Sequence, residues 1–310
     1  MNILITGGAG FVGAELIKQL QSLTSYNLIA LDNDSIRIAN LDLTNANKYC
    51  IDAANTFELN KIIVDRKIDG IVHLAANSDI KSGSLSSDMD FQNTLVTSLA
   101  LAEIVRRNQF KFLLFASTSA VYGDFKKSVS LHDNTLKNPI SYYGWAKLGG
   151  EYALRHATIT SDTPFILTRF PNVVGPNPTH GVLYDFKEKL LKDTRSFEVL
   201  GDGKQTKPYI HVEDLCSILI RAIEGSSDQK YSELNITPGD SIQLTEIVKI
   251  VLEITGLNPV VHYGSTSYGW IGDVPNYDYI DSLPEQYQDI ALRNSETAVY
   301  DAFEVFWNDK

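Results

Sequence analysis

Cysteine is nearly missing from this chain: Cys50 and Cys216 are the only two among 310 residues. Two thiols so far apart, each in apolar surroundings, supply neither a disulfide framework nor the spacing of a metal site, so no metal is expected and both thiols are expected reduced and buried. Long hydrophobic runs are missing too. Nothing approaches the roughly 20 apolar residues that span a bilayer, and the first residues enter a strand at once, which leaves no room for a secretory leader. A soluble, cytoplasmic protein with no membrane partner is expected. Positive charge is scarce: 27 Lys and Arg face 38 Asp and Glu, a formal net charge of −11, and the cations are scattered rather than clustered. That excludes nucleic acid as an expected partner. It does not exclude a small anionic ligand, which backbone amides and a few cations can hold. Internal repeats and low-complexity tracts are absent as well. The remainder is ordinary globular composition, 44% apolar and 21% charged, long enough for one large or two modest domains.

Glycine, by contrast, is concentrated at the start. Asn2 to Ile5 is a short apolar run that reads as a buried strand, and Gly7, Gly8, Gly10 and Gly13 follow it, ahead of a helical pattern in Ala14, Leu16, Ile17 and Leu20. Strand, glycine turn and helix is the arrangement that lets backbone touch a pyrophosphate, whose charge then sits on free N–H groups at the helix start. Gly7, Gly10, Phe11, Val12 and Gly13 are therefore candidate dinucleotide contacts. A second apolar run, Leu28 to Leu31, ends in Asp32, nineteen residues beyond Gly13. An acid there would accept hydrogen bonds from an adenosine ribose, with Asn33 beside it, and would repel a 2′-phosphate.

The chain then continues as strand and helix in alternation. Lys48 to Ile51 reads as a third strand closed by Asp52, which suits either an adenine amino group or a turn. Phe57 to Arg66 has helical spacing, and Ile71 to Leu74 forms the next strand. Such alternation predicts a parallel sheet with helices on both faces. His73 at that strand end is read as structural, while the small residues around Leu74, Ala75 and Ala76 would let a cofactor lie against the backbone. Met89 to Arg107 is a long helical pattern with more apolar positions than one buried face requires, suggesting burial on two sides.

The stretch from Phe112 to Gly123 reads as a fully buried strand that ends in three hydroxyl residues, Ser117, Thr118 and Ser119. Downstream, Tyr143 and Lys147 stand four apart, on one face of an expected helix. An ammonium there favours the phenolate and lowers a phenol pKa that is normally about 10, which would make Tyr143 an acid/base near neutrality.

Taken together, these pieces resemble the extended short-chain dehydrogenase/reductase family, in its NAD-dependent epimerase/dehydratase branch acting on nucleotide-linked sugars. The matching stretches are Thr6–Gly13, Asp32, His73–Ala76, Asn93, Ser117–Gly123, Tyr143 with Lys147, Thr168–Pro176, Gly201–Thr206, Tyr209–Asp214 and Gly272–Pro275. The resemblance implies a Rossmann-type doubly wound α/β fold with a smaller C-terminal α/β substrate domain. It implies NAD as cofactor, a nucleotide sugar as substrate, and a homodimer built on the helices carrying Asn93 and Tyr143. It also implies Tyr143 as catalytic acid/base, Lys147 as its helper and a nicotinamide-ribose contact, and Thr118 as the hydroxyl that bonds the reacting group. Asn93 and Ser117 fall to the cofactor, Phe170 or Pro171 passes near its nicotinamide, and Asn172 falls to the phosphates of the substrate.

Departures from the family pattern narrow the activity. Dehydratases and decarboxylases of the family usually place an acid one or two residues after the catalytic Thr, where this chain has Ser119 and Ala120. That favours epimerisation, at C4 through a transient 4-keto sugar. Two arginines that usually grip the nucleotide phosphates are replaced by Lys207 and Tyr268, and a lysine is a poorer bidentate partner. A keto-sugar reductase or dehydrogenase, and a non-catalytic NAD(H)-binding sensor or scaffold, are the alternative readings. The expected division is residues 1–172 with about 206–224 for the NAD domain, and about 173–205 with 225–310 for the substrate domain.

Overall fold

The structure is a computed structural model. It describes residues 1–23, 25–77, 79, 86–124, 135–226, 229–270, 272–276 and 283–309. Parts of the polar linker expected at Ser226–Lys230 and of the loop expected over Tyr263–Asp281 lie outside the described residues. The chain separates into two compact units: Met1–Thr118 with Tyr142–Arg169 and Cys216–Leu234, and Ser119–Ser141 with Phe170–Leu215 and Asn235–Lys310.

The first unit is built on β1 (Asn2–Thr6), α1 (Phe11–Gln21), β2 (Asn27–Asp32), α2 (Ser35–Asn40), β3 (Lys48–Cys50), α3 (Thr56–Asp65) and β4 (Gly70–His73). A long helix α4 follows in three consecutive pieces, Ser87–Asp90, Phe91–Val96 and Thr97–Val105, then β5 (Phe112–Thr118), α5 (Tyr142–Ser161) and β6 (Phe165–Phe170). The seven-stranded sheet runs β11–β6–β5–β4–β1–β2–β3, with β11 at Tyr231–Asn235. Thr6 pairs in parallel with Leu31 on one side and with His73 on the other, and His73 with Phe115. The carboxyl ends of β1, β2, β4 and β5 therefore stop at one edge. The order reverses between β1 and β4, and that is where open α/β sheets bind their ligands.

Both faces of this sheet are buried, which explains why the strands read as continuous apolar runs rather than alternating ones. Leu4, Ile29, Leu31, Ile71, Leu113 and Phe115 pack with α3, α4 and α5, while the intervening Ile3, Ile5, Ala30, Val72 and Leu114 point the other way and are equally sealed. β3 is the edge strand, and there the structure corrects one expectation. Cys50 is exposed, because it ends an edge strand with nothing beyond it, whereas Cys216 is buried.

The close approach of α4 to α5 depends on two glycines. A Cβ on Gly149 would lie 2.9 Å from a methyl of Leu95, and one on Gly150 would lie 2.9 Å from Oγ of Ser98. The long helix expected over Met89–Arg107 is present, but its middle piece Phe91–Val96 is π-helical. Its looser carbonyls are satisfied by hydroxyls: Thr97 donates to Asn93 and Thr94, and Ser98 to Thr94 at 2.8 Å.

The second unit contains β7 (Asn172–Val174), α6 (Val182–Lys192), β8 (Ser196–Val199), β9 (Thr206–Lys207), β10 (Tyr209–His211), β12 (Ile242–Gln243), α8 (Leu244–Thr255), β13 (Val260–Tyr263) and α9 (Ser295–Asn308), and α7 (Val212–Glu224) begins in it. Its core gathers Leu183, Phe186, Phe197, Ile247, Val251 and Phe303. Gly256, at φ +65°, ends α8 in the left-handed conformation that glycine adopts without strain. Among the described residues no helix is long and apolar enough to cross a membrane.

His73 is fully buried, bonded through Nδ1 to the Thr6 hydroxyl at 2.7 Å and through Nε2 to the Ser98 hydroxyl at 3.3 Å, and stacked on Phe115. Burial first, and the Lys147 charge second, push its pKa down to about 3. Its folded pKa thus lies below the unfolded value of about 6.5, so the unfolded chain binds the extra proton between these limits and stability falls as pH drops through that window. From pH 6.5 to pH 5 the loss from this one residue is about 2 kcal/mol. Chemical denaturation at pH 7 and pH 5 should show this loss in the wild type and not in His73→Gln; equal losses in both would refute it.

Candidate active site

The glycine turn leaves β1 with Gly7 at φ +67°, and a Cβ there would lie 2.8 Å from the amide nitrogen of Ala75. Gly13 is more constrained: its Cβ would sit 2.3 Å from the Gly7 carbonyl oxygen. Gly10 caps α1 with no side-chain hydrogen bond, and the first turn carries no acid. The helix start is thus a cradle of free N–H groups with its positive pole uncompensated, suited to a pyrophosphate. Phe11 and Val12 open that helix. The Asp32 carboxylate is oriented by two backbone amides, Ala9 to Oδ2 and Asp34 to Oδ1, each at 3.0 Å. A carboxylate has about four acceptor sites, so a ribose diol can still be bound. Asn33 follows directly, and Leu74, Ala75 and Ala76 leave β4 at the same edge. These residues fit a dinucleotide.

Asp52 takes the turn role at one oxygen, accepting from the Ala54 amide at 2.8 Å. Asn93 sits partly buried in the π-helical piece of α4. Ser117, only 1% exposed, donates its hydroxyl to Glu151.

Thr118, Tyr143 and Lys147 come together where β5 ends against α5. The Thr118 hydroxyl hydrogen-bonds the Tyr143 phenol. Lys147 is 3% exposed, donates to the Ala116 carbonyl at 2.6 Å, and lies 5.9 Å from the centroid of the Tyr143 ring. The electrostatics correct the expectation that the ammonium brings the phenol down. In the protein alone the phenol pKa is raised, by burial first and by the Asp90 charge second, with only the Thr118 hydrogen bond opposing. Burial likewise pulls Lys147 down to about 7, with Glu151 opposing. Desolvation acts on both partners and outweighs their spacing on the helix.

Asp90, Glu151 and Arg169 were not singled out from the sequence. Asp90, 1% exposed on α4, accepts from the Asn77 amide at 2.8 Å, and burial raises its pKa. Glu151 continues the four-residue spacing of Tyr143 and Lys147, a signal that was available.

In the second unit, Phe170 begins the segment that leads to Asn172, whose Nδ2 is buried with no hydrogen-bond partner. Lys207 donates to Asp273 at 2.6 Å and lies 5.3 Å from the ring of Trp270. The Trp270 indole N–H is buried and unpartnered, whereas Tyr268, two residues earlier, is 46% exposed.

A parallel sheet with a glycine cradle at its switch point and a Thr–Tyr–Lys set beside it defines a dinucleotide-dependent enzyme of the short-chain dehydrogenase/reductase type. The sequence profile of the NAD dependent epimerase/dehydratase family matches residues 3–237, and the chain belongs to that family. It is 27% identical over 316 residues to the UDP-glucose 4-epimerase of Lacticaseibacillus casei, covering 92% of this chain and 95% of that one. A crystal structure of a UDP-galactose 4-epimerase superposes with a TM-score of 0.84 at 26% identity, over 98% of each chain. MoeE5 in complex with UDP-glucuronic acid and NAD superposes with a TM-score of 0.81 at 25% identity, over 99% of this chain and 98% of that one. The protein is an NAD-dependent enzyme of the epimerase/dehydratase type.

Because the Asp90 charge raises the Tyr143 pKa, Asp90→Asn should let the phenol ionise at lower pH. In a turnover assay the acidic limb of kcat/KM should move to lower pH; a limb that stays in place or moves upward would separate Asp90 from the phenol.

Proposed function

We propose that the protein is a nucleotide-sugar 4-epimerase. The observation that carries this reading is the Thr118–Tyr143 hydroxyl pair at the sheet edge, followed by the buried Ser119 and Ala120. Neither position bears the carboxylate that water elimination calls for. The similarity to UDP-glucose 4-epimerases supports the same reading.

Tyr143, as phenolate, removes the proton from the sugar 4-hydroxyl, with Thr118 holding that oxygen in line. The product is a 4-keto sugar, which turns in the pocket and regains its proton from the same phenol. Bound NAD supplies the hydride acceptor at C4, its return to the opposite face, and a positive ring that favours the phenolate. Lys147 adds charge of the same sign and serves as the ribose contact. Asn172 and Trp270 carry two buried N–H groups without partners, which in this reading bind acceptors of the nucleotide diphosphate, while Lys207, braced by Asp273, contributes a partly neutralised cation.

The purified protein should release NAD on denaturation and interconvert UDP-glucose and UDP-galactose, or another C4 pair in a nucleotide-sugar panel, without net consumption of added NAD(H). Tyr143→Phe should lower turnover about 10³-fold while retaining NAD. Stoichiometric NAD(H) consumption would make the protein a reductase or dehydrogenase instead, and water loss from the sugar would make it a dehydratase.

A homodimer is part of the same proposal. Trp145, Tyr152 and Ile159 recur every seven residues on α5 and are 54%, 67% and 65% exposed, with Tyr142 and, on α4, Leu99 also exposed. A stripe of this size suits a helix-pair seam between two copies. Light scattering should give a dimer for the wild type and a folded monomer for Trp145→Glu combined with Tyr152→Glu. A monomeric wild type would remove the dimer from the proposal.

A further inference from the structure

Beneath the acid/base pair lies a row of buried charges that proton transfer alone does not use. Tyr143, Lys147 and Glu151 recur every four residues and so share one face of α5. Glu151 is 5% exposed, and Arg169 on β6 is 2% exposed. Arg169 grips both oxygens of Glu151, Nε to Oε1 at 2.8 Å and Nη2 to Oε2 at 2.6 Å. Its Nη1 donates to Glu233 on β11, whose other oxygen accepts from the Tyr231 hydroxyl at 2.7 Å. Ser117 closes the row by donating to Oε1 of Glu151. It stands between Ala116, whose carbonyl holds Lys147, and Thr118, whose hydroxyl meets the phenol.

Stability is a weak reason for such an arrangement, since buried ion pairs exchanged for well-packed apolar residues often cost nothing. Two cations, Lys147 and Arg169, are matched by two carboxylates, Glu151 and Glu233. We propose that Glu151 is the positioning residue that keeps Lys147 an ammonium ion, its charge divided between Lys147 and Arg169.

Among the described residues, the other groups around Lys147 offer no substitute for that carboxylate. On β4, His73 is buried and neutral at working pH. On β5 Lys147 meets the Ala116 carbonyl and the Phe115 ring. On its own helix Tyr143 holds its proton, and on α4 the carboxyl of Asp90 acts on Tyr143 and is itself raised. Burial already draws Lys147 down to about 7, with Glu151 as the opposing influence. Without Glu151, Arg169 keeps its bond to Glu233 but its repulsion joins the desolvation, Lys147 sheds its proton near neutrality, and the phenolate loses its neighbouring cation.

This inference deepens the acid/base reading above, and its test is made without substrate or cofactor, so that a wrong sugar leaves it intact. Protein carrying lysine labelled with 13C at Cε is titrated by NMR, the Lys147 signal being assigned by its loss in Lys147→Arg. Glu151→Gln should move the Lys147 titration down by about one pH unit or more, Glu151→Asp should restore most of it, and Ser117→Ala, which alters no charge, should leave it in place. Arg169→Gln should move it up, because it leaves Glu151 to act on Lys147 alone. An unchanged titration in Glu151→Gln, or a shift of the same sign in the Glu151 and Arg169 variants, overturns the proposal. Should Glu151→Gln fail to fold, Glu151→Asp decides: a Lys147 titration displaced part of the way downward by the shorter side chain supports the proposal, and one left unchanged refutes it.

Discussion

The site depends on one constraint of backbone register: the parallel strands β1, β2, β4 and β5 end together. Thr6 is in line with Leu31 and His73, and His73 with Phe115, so the glycine turn, Asp32, the Leu74–Ala76 segment and Ser117–Thr118 all emerge at one edge. A slip of one residue in any pair would turn that strand's side chains to the opposite face, and here both faces are packed. The core therefore fixes the site. Gly13 transmits the constraint further, because only a residue without Cβ lets α1 start so close to the Gly7 carbonyl, and that closeness aims its free N–H groups at the edge.

On the other side of the sheet edge, a helix pair does comparable work. Gly149 and Gly150 admit Leu95 and Ser98 into contact distance, which draws the π-helical piece of α4 against the start of α5. Tyr142 meets Phe91 edge to face at 6.0 Å. The neighbouring residues, Asp90 and Tyr143, thereby come within each other's electrostatic reach. π-helical turns inside α-helices occur often at functional sites, and this one shows how: the widened turn is tolerated because Thr97 and Ser98 bond its carbonyls.

Much of this could be read from the sequence because the signals were local. The strand, glycine turn and helix at the start, Asp32 at the end of β2, and the four-residue step from Tyr143 to Lys147 each lie within one element or its immediate neighbour, and periodicity reports such things directly. What stayed hidden was tertiary. Nothing in the spacing of Arg169 and Glu151 announces that β6 faces α5, or that Asp90 is sealed from solvent. Cys50 shows the converse error: its apolar neighbours suggested burial, but strand order, which places β3 at the edge, decided exposure. The charge state of Tyr143 failed for the same reason. Helical spacing describes how near Lys147 is, while the desolvation that governs both groups is a property of the packed sheet edge.

Burial, together with the Asp90 carboxylate, raises the phenol in the protein alone, and burial weakens the hold of Lys147 on its proton. A phenol placed this way is easier to ionise when positive charge stands beside it. In the proposed reading the cradle at Gly7–Gly13 and the Asp32 carboxylate would hold a cofactor whose oxidised ring carries a positive charge, and that charge would favour the Tyr143 phenolate, more strongly in a low-dielectric site than in an open one because each unit charge acts there with less screening. The buried Glu151–Arg169 pair fits the same logic: in the proposed reading its carboxylate keeps a proton on Lys147, so that the ammonium can assist ionisation of the phenol.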